Sequence, residues 1–198
     1  MNKRHFLAAT ALAATVPGQA NARSASARPG PGLLTVAGAI TRKNRGPLDV
    51  ALDQLMVKHT SRFDKAWQFD DAMLARLPAV TITPTLEYDA KPHRLSGPLL
   101  STVVEAAGVA TGVATAAPVM LGLRAIDGYT VGLSLADARA YRMIVATTLD
   151  GAPLSLGGLG PLWAVYDADR LPAFRDKPLK ERFALCPWGL YFIDVKAL

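Results

Sequence analysis

The sequence predicts an α+β domain with a mixed, mostly antiparallel sheet and short helices. Three observations carry that prediction. Apolar runs are short and bounded by turn residues, helical periodicity never lasts beyond a few turns, and no internal repeat is present. About seven strands and three or four helices fit the pattern. The 198 residues are 51% hydrophobic and 19% charged, which excludes disorder for most of the chain. At about 150 residues per domain, one domain is expected.

Taken in order, Leu33–Ile40 reads as a first strand and residues 42–47 as a polar turn. Leu48, Leu52, Leu55 and Met56 fall on one face of a short helix. Asp70 is placed to cap a second helix that carries Met73, Leu74 and Leu77 and stops at Pro78. Val80-Thr81-Ile82-Thr83 alternates with period two, as a half-buried strand does, and Pro84 ends it. Pro98 suits the first position of a helix with Leu99, Leu100, Val103, Val104 and Ala107 inward and Gly108 closing it. Val119–Ala125 and Tyr129–Leu133 read as strands around an Ile126-Asp127-Gly128 turn. Ser134 and Asp137 form a capping-box pair for a helix reaching Tyr141. Met143–Thr148, Leu162–Tyr166 and Leu190–Val195 complete the strands, and Asp150-Gly151 is a hairpin-turn dipeptide. The charge-free stretch Ala106–Leu123 contains Gly108-x-x-x-Gly112. It reads as a small-residue loop entering a buried strand, with a membrane helix as the alternative.

The N-terminus has signal-peptide anatomy over residues 1–22: basic Lys3-Arg4-His5, an apolar run from Phe6 to Val16, and Ala20-Asn21-Ala22 before a cut. The run is far short of the roughly 20 residues of a span. Lys3-Arg4 also resembles a twin-arginine signal with lysine first. A periplasmic location is the expectation. Residues 23–32 read as a flexible lead-in, and residues 33–198 as the single domain, with residues 44–64 as an insertion. Loss of Lys3 and Arg4 lowers the formal charge of +6 by two. The remaining excess suits an anionic small ligand or partner and is too weak and dispersed for nucleic acid.

Much familiar chemistry is missing. Cys186 is the one cysteine, which excludes an internal disulfide framework and a cysteine-rich metal site. His59 and His93 are not in ligand spacing, and His93 reads as a surface residue. No Gly-x-Ser-x-Gly elbow and no Walker A loop occur. Gly157-Gly158-x-Gly160-Pro161 reads as a turn entering a strand, with anion contact through its backbone N–H groups as a further option. For Cys186, metal ligand, redox site and packed interior thiol are the three readings, and packing is the commonest fate of such a residue.

The ordered segments Phe69-Asp70 to Leu77-Pro78, Val80–Thr85, Leu95-Ser96-Gly97-Pro98-Leu99-Leu100 and Val103–Gly108 resemble the oxidoreductase molybdopterin-binding domain. This is the pterin-binding fold of the sulfite oxidase superfamily, in a short exported bacterial version. The order continues through Ala125–Tyr129, Ser134, Asp150–Ser155, Gly160–Tyr166 and Trp188-Gly189-Leu190, so the resemblance covers about residues 33–196. It implies a sulfite oxidase-type fold and a pocket for a pterin or molybdopterin-like ligand. In catalytic members a cysteine after the strand corresponding to Val80–Thr83 ligates molybdenum. Here that region reads Ile82-Thr83-Pro84-Thr85-Leu86-Glu87-Tyr88, and threonine is a poor ligand for a soft, sulfur-rich centre. The residues therefore argue against molybdenum.

A pterin needs a face to stack on and donors and acceptors at its edge. Tyr88 and Trp163, then Trp188, are the stacking candidates, with core packing the alternative for both tryptophans. Asp127, beside Tyr129, is the candidate acceptor or else a turn-former; Thr83 and Thr85 face the pocket or solvent. Arg94 is placed to meet an anionic tail or is simply exposed, and the run Arg175, Lys177, Lys180, Arg182 reads as a solvated face. The leading expectation is an exported pterin-binding protein, a ligand-sensing accessory without its own redox metal. The resemblance suggests the periplasmic region of a membrane signalling protein as its partner. The rivals are a small molybdopterin-dependent oxidoreductase and an interaction module with an empty pocket.

Overall fold

The computed structural model describes residues 30–109 and 118–197. The leader over residues 1–22, most of the lead-in and the second glycine of Gly108-x-x-x-Gly112 lie outside the described residues. The protein is α+β, and its sheets are mixed but mostly antiparallel. Among the described residues no helix is long and apolar enough to cross a membrane.

The largest sheet has five strands: β1 (Leu34–Gly38), β2 (Ala66–Phe69), β5 (Val119–Ala125), β6 (Thr130–Ser134) and β11 (Leu190–Ala197), in the order β2-β1-β11-β5-β6. Only β1 and β11 run parallel, with Thr35 opposite Phe192 and Gly38 opposite Val195. A second sheet, β3-β4-β8-β9, joins Ala79–Ile82, Leu95–Pro98, Thr148–Leu149 and Ala152–Pro153. A third pairs β7 (Ile144–Ala146) with β10 (Trp163–Val165). The helices are α1 (Gln54–Lys58), α2 (Asp71–Ala75), α3 (Leu100–Ala106) and α4 (Leu135–Ala140).

Local signals act where the sequence places them. The Asp70 side chain accepts from Met73 N at 2.8 Å, and Ser134 accepts from Asp137 N at 2.9 Å, so both helices start on a satisfied N-terminal donor. Asp150 (φ 49°) and Gly151 (φ 85°) turn β8 into β9, both in the left-handed region that a tight hairpin requires.

Pro98 departs from expectation. It is the last residue of β4, paired with Ala79, and α3 begins two residues later. A fixed φ near −65° and a missing N–H suit a strand end as well as a helix start. The face expected from Leu48, Leu52, Leu55 and Met56 also shrinks: α1 buries Met56, while Leu52 and Leu55 are exposed. β2 had no sequence signature, because Ala-Trp-Gln-Phe is too short to show a period.

The main core fills the space between the five-stranded sheet, the smaller sheets and α2, α3 and α4; Leu100, Val103 and Val104 are its contribution from α3. The other face of the large sheet carries a second cluster of Ala37, Met56, Ala66, Tyr191 and Phe192, against which Leu48 and Phe63 pack. Residues 44–64 thus cover a sheet face. Arg124 holds this cover by donating to the His59 carbonyl and to Ser61 Oγ, and His59 Nδ1 lies 2.8 Å from the Tyr191 hydroxyl. With both faces covered, β1 reads as four buried residues in a row.

The two smaller sheets meet at Gly97. A Cβ on Gly97 would lie 1.9 Å from the Val145 carbonyl oxygen, so β4 and β7 approach as closely as backbones can. Gly97→Ala is expected to destabilise the fold by about 2 kcal/mol or more through backbone overpacking, read from the midpoint of urea unfolding at unchanged slope.

Candidate functional site

Four segments converge on a cleft of about 300 Å³. The β3–β4 connection brings Glu87 and Tyr88, and the β5–β6 turn brings Asp127 and Tyr129. The 3₁₀ turn Leu179–Glu181 brings Lys180, and the stretch before β11 brings Phe183, Cys186 and Trp188.

Each wall is fixed by a few bonds. Ile126 N donates to the Gly189 carbonyl at 2.9 Å, which ties the β5–β6 turn to the start of β11. The Tyr129 hydroxyl donates to the Ala184 carbonyl at 2.7 Å. Asp127 Oδ1 accepts from Tyr129 N at 2.9 Å, an Asx-type turn that leaves Oδ2 available. Trp163 Nε1 donates to the Cys186 carbonyl at 2.9 Å. On the opposite wall, Thr85 N donates to Asp169 Oδ2 at 2.7 Å while Arg182 donates to Asp169 Oδ1 at 2.8 Å. Asp169 therefore joins the Tyr88 loop to the Lys180 segment.

Of the residues singled out from the sequence, Tyr88, Asp127, Tyr129 and Trp188 come together here. Tyr88 and Trp188 leave 55% and 41% of their surface exposed, so both rings offer area to a ligand. The others lie elsewhere. Trp163 is 1% exposed and packs in the core; it sits across from Trp188 in an antiparallel bridge, with its ring on the core side. Thr83 borders a separate hollow with Asp167 and Arg170. The alternation read over Val80–Thr83 is real, but Thr81 and Thr83 occupy its exposed side. Thr85 is half-buried and engaged through its backbone, and Arg94 is exposed, its N–H bonded to Asp150 Oδ1 at 2.8 Å.

Sequence reasoning missed Glu87, Lys180 and Phe183, and gave Cys186 no place at the cleft. Lys180 stands beside exposed Arg175 and Lys177 and half-buried Arg182 in the sequence, and only the fold separates it from them. Glu87 had a weak signal, adjacency to Tyr88 in a turn-rich loop.

The electrostatics are those of a binding surface with an acceptor edge. Glu87 and Asp127 supply carboxylates and Lys180 a cation. Burial pushes the Tyr88 phenol up to about 12, with the Glu87 carboxylate adding to the effect, so the ring stays neutral. Burial likewise pushes the Cys186 thiol up to about 12, and contacts from Tyr166 offset only part of this. At neutral pH Cys186 is a protonated thiol, 4% exposed, and a poor nucleophile. Among the described residues no group of three or more His, Cys, Asp or Glu side chains is gathered as metal ligands. In the glycine turn, the N–H groups of Gly158 and Gly160 both donate to the Ser155 carbonyl, each at 3.1 Å, and are not offered to an anion.

No protein-family model matches the chain, and no curated protein matches it.

The far end of the Tyr88 loop is clamped by His93, whose Nδ1 lies 2.7 Å from Asp150 Oδ2 and Nε2 3.0 Å from Asp89 Oδ2. Only the imidazolium donates from both nitrogens. The bonds to Asp150 and then Asp89 raise the His93 pKa above 6.5, and the His93 bond lowers both carboxylates below 3.8. The histidine contribution is complete below 6.5 and lost as pH rises through the raised value. The carboxylate contribution is complete above 3.8 and lost as pH falls through the lowered values. An NMR titration is expected to place His93 above 6.5 and, in Asp150→Asn, to move it back toward 6.5. Trp163→Ala is expected to cost about 3–5 kcal/mol of stability as a core truncation, seen by thermal unfolding, rather than to act selectively on a ligand.

Proposed function

We propose that this cleft binds a flat, polar heterocycle of the pterin class and that the protein is an exported ligand-binding accessory without its own redox centre. The observation that carries the reading is the pairing of exposed aromatic rings with acceptor carboxylates: Tyr88 and Trp188 beside Glu87 and Asp127. A pterin presents two apolar faces and an edge of amino and ring N–H donors. Stacking partners and carboxylates answer those features separately. A volume near 300 Å³ suits one bicyclic ring and its shell.

The resemblance to the oxidoreductase molybdopterin-binding domain supports the same ligand class. The α+β architecture and the mostly antiparallel sheets are compatible with the sulfite oxidase-type fold, which remains part of the proposal. Four of the residues that the resemblance made candidates lie in the cleft wall.

A molybdenum centre does not fit the donors. Thr83 and Thr85, which follow the strand corresponding to the ligand position, lie outside the cleft lining. Cys186 lies within it, but it stands more than 90 positions after that strand and is 4% exposed. No redox step is therefore derived. On this reading the leader at residues 1–22 delivers the protein to the periplasm. Ligand occupancy is then read by the periplasmic region of a membrane signalling protein.

Binding is measured by quenching of intrinsic pterin fluorescence on addition of the exported protein. Trp188→Ala is expected to weaken binding about tenfold or more, as the loss of one stacking face of 1–3 kcal/mol requires. Asp127→Asn, which keeps the turn acceptor and removes the charge, is expected to weaken it by a similar factor with an unchanged melting temperature. No quenching by wild-type protein, or stoichiometric molybdenum in protein purified from its native host, would overturn the reading.

A further inference from the structure

Beside the cleft lies a second hollow of about 340 Å³, and the two share Asp127 and Trp188 in their walls. Their chemistry differs. The first has two carboxylates, a lysine and phenolic rings. The second is walled by Ile126, Leu156 and the glycines of the 157–160 turn, and among the described residues no lysine or arginine borders it. Leu156 is 72% exposed, an apolar side chain left uncovered beside the half-exposed Trp188 ring. The Gly158 and Gly160 N–H groups are spent on the Ser155 carbonyl and that of Gly189 on the Leu159 carbonyl at 3.2 Å, so these three lining glycines offer an anion no donor. Asp127 is the charged residue that lines both hollows, and its carboxylate repels a phosphate.

We infer that the ligand is a pterin bearing an uncharged substituent, whose ring occupies the first chamber and whose substituent crosses the Trp188–Asp127 boundary into the glycine-walled second one. This rests on the reading of the first chamber as a pterin site and adds the class of side chain. The ring stays where acceptors meet its N–H edge. The substituent lies against Leu156 and the indole of Trp188, where an apolar group leaves water at no cost in lost hydrogen bonds. A phosphorylated tail would enter the same space with no cation and no unspent glycine-turn N–H from Gly158 or Gly160 to receive it. Gly157 and Gly158 place no side chain on this wall, and a Cβ on either would stand in largely open space.

Gly158 makes the inference testable. It borders the hollow, its φ lies outside the left-handed region, and a Cβ there meets only the Ser155 carbonyl oxygen, at an ordinary 3.5 Å. A leucine at this position is accepted by the backbone and intrudes on the hollow. Gly157, at φ +90°, would be strained by any such change. Leu156→Ser is the complementary variant, removing apolar wall from an exposed position.

Three probes are titrated by fluorescence into wild-type protein, Gly158→Leu and Leu156→Ser: pterin itself, 6-phenylpterin, and the phosphate monoester of 6-hydroxymethylpterin. Wild-type protein is expected to bind 6-phenylpterin at least about tenfold more tightly than pterin, a difference of about 1.4 kcal/mol, and the phosphate ester no more tightly than pterin. Both variants are expected to remove the gain while leaving pterin affinity unchanged. A phenyl substituent that adds nothing, a phosphate ester that binds more tightly, or a gain that survives both variants overturns the inference and leaves the ring site standing. Failure of all three probes on folded wild-type protein overturns both.

Discussion

The candidate site depends on one piece of backbone, the antiparallel ladder between β5 and β11. Two of the four segments that line the cleft grow from the same end of it. Ala125 pairs with Leu190, and the chain leaves β5 into Ile126-Asp127-Gly128 and enters β11 from Pro187-Trp188-Gly189. The Ile126 to Gly189 bond closes that end, so Asp127 and Trp188 are held beside each other by sheet geometry rather than by side-chain contact. The ladder slips between Leu190 and Phe192, which takes Tyr191 out of the alternation. Tyr191 and Phe192 then both bury against the 44–64 cover. A one-residue change in this register would turn the inner face of β11 outward and separate the two walls.

β11 is anchored from its other side by the parallel strand β1, so the beginning and end of the domain lie together in the middle of the large sheet. The arrangement explains why residues 44–64 matter to a site they do not touch. Without that cover, Ala37, Ala66, Tyr191 and Phe192 would face water, and Arg124, one residue before the cleft residue Ala125, would lose its bonds to His59 and Ser61. Residues 44–64 thus act on the cleft through β5, whose Arg124 they hold and whose Ala125 lines it.

What the sequence disclosed and what it withheld divide along physical lines. The Asp70 and Ser134 caps, the Asp150-Gly151 hairpin and the Ile126-Asp127-Gly128 turn are decided by residues within a few positions of one another, and they were legible. Tyr88, Asp127, Tyr129 and Trp188, singled out as polar or aromatic residues at turns, line one cleft. Trp163 and Trp188 could not be told apart, since each is a tryptophan beside a strand and only the third dimension puts one ring in the core and the other at the rim. Cys186 is buried, the commonest fate of such a residue, but its nearness to Glu87 and Tyr88 arises from the meeting of distant loops that no local pattern records. Pro98 was misplaced because the same fixed φ ends a strand and begins a helix.

On the proposed reading, a ligand acts on a partner only to the extent that it binds one arrangement of the protein better than another. The large sheet offers no such freedom, because the Trp188 wall is built into it. The Tyr88 loop is tied at one end through Thr85 to Asp169 and at the other through His93 to Asp150. Between these ties, Leu86 and Lys91 are joined by a backbone bond of 2.9 Å and Ala90 closes back on Leu86 at 3.0 Å, while Glu87 and Tyr88 have no backbone bond of their own to the sheet among the described residues. Those two residues are also the loop's contribution to the cleft. A ring seated between Tyr88 and Trp188 would therefore touch one wall built into the large sheet and one carried by a loop that closes on itself. The difference between the bound and free protein would be written on the outer surface of residues 86–90, next to the His93 clamp, where a partner can read it.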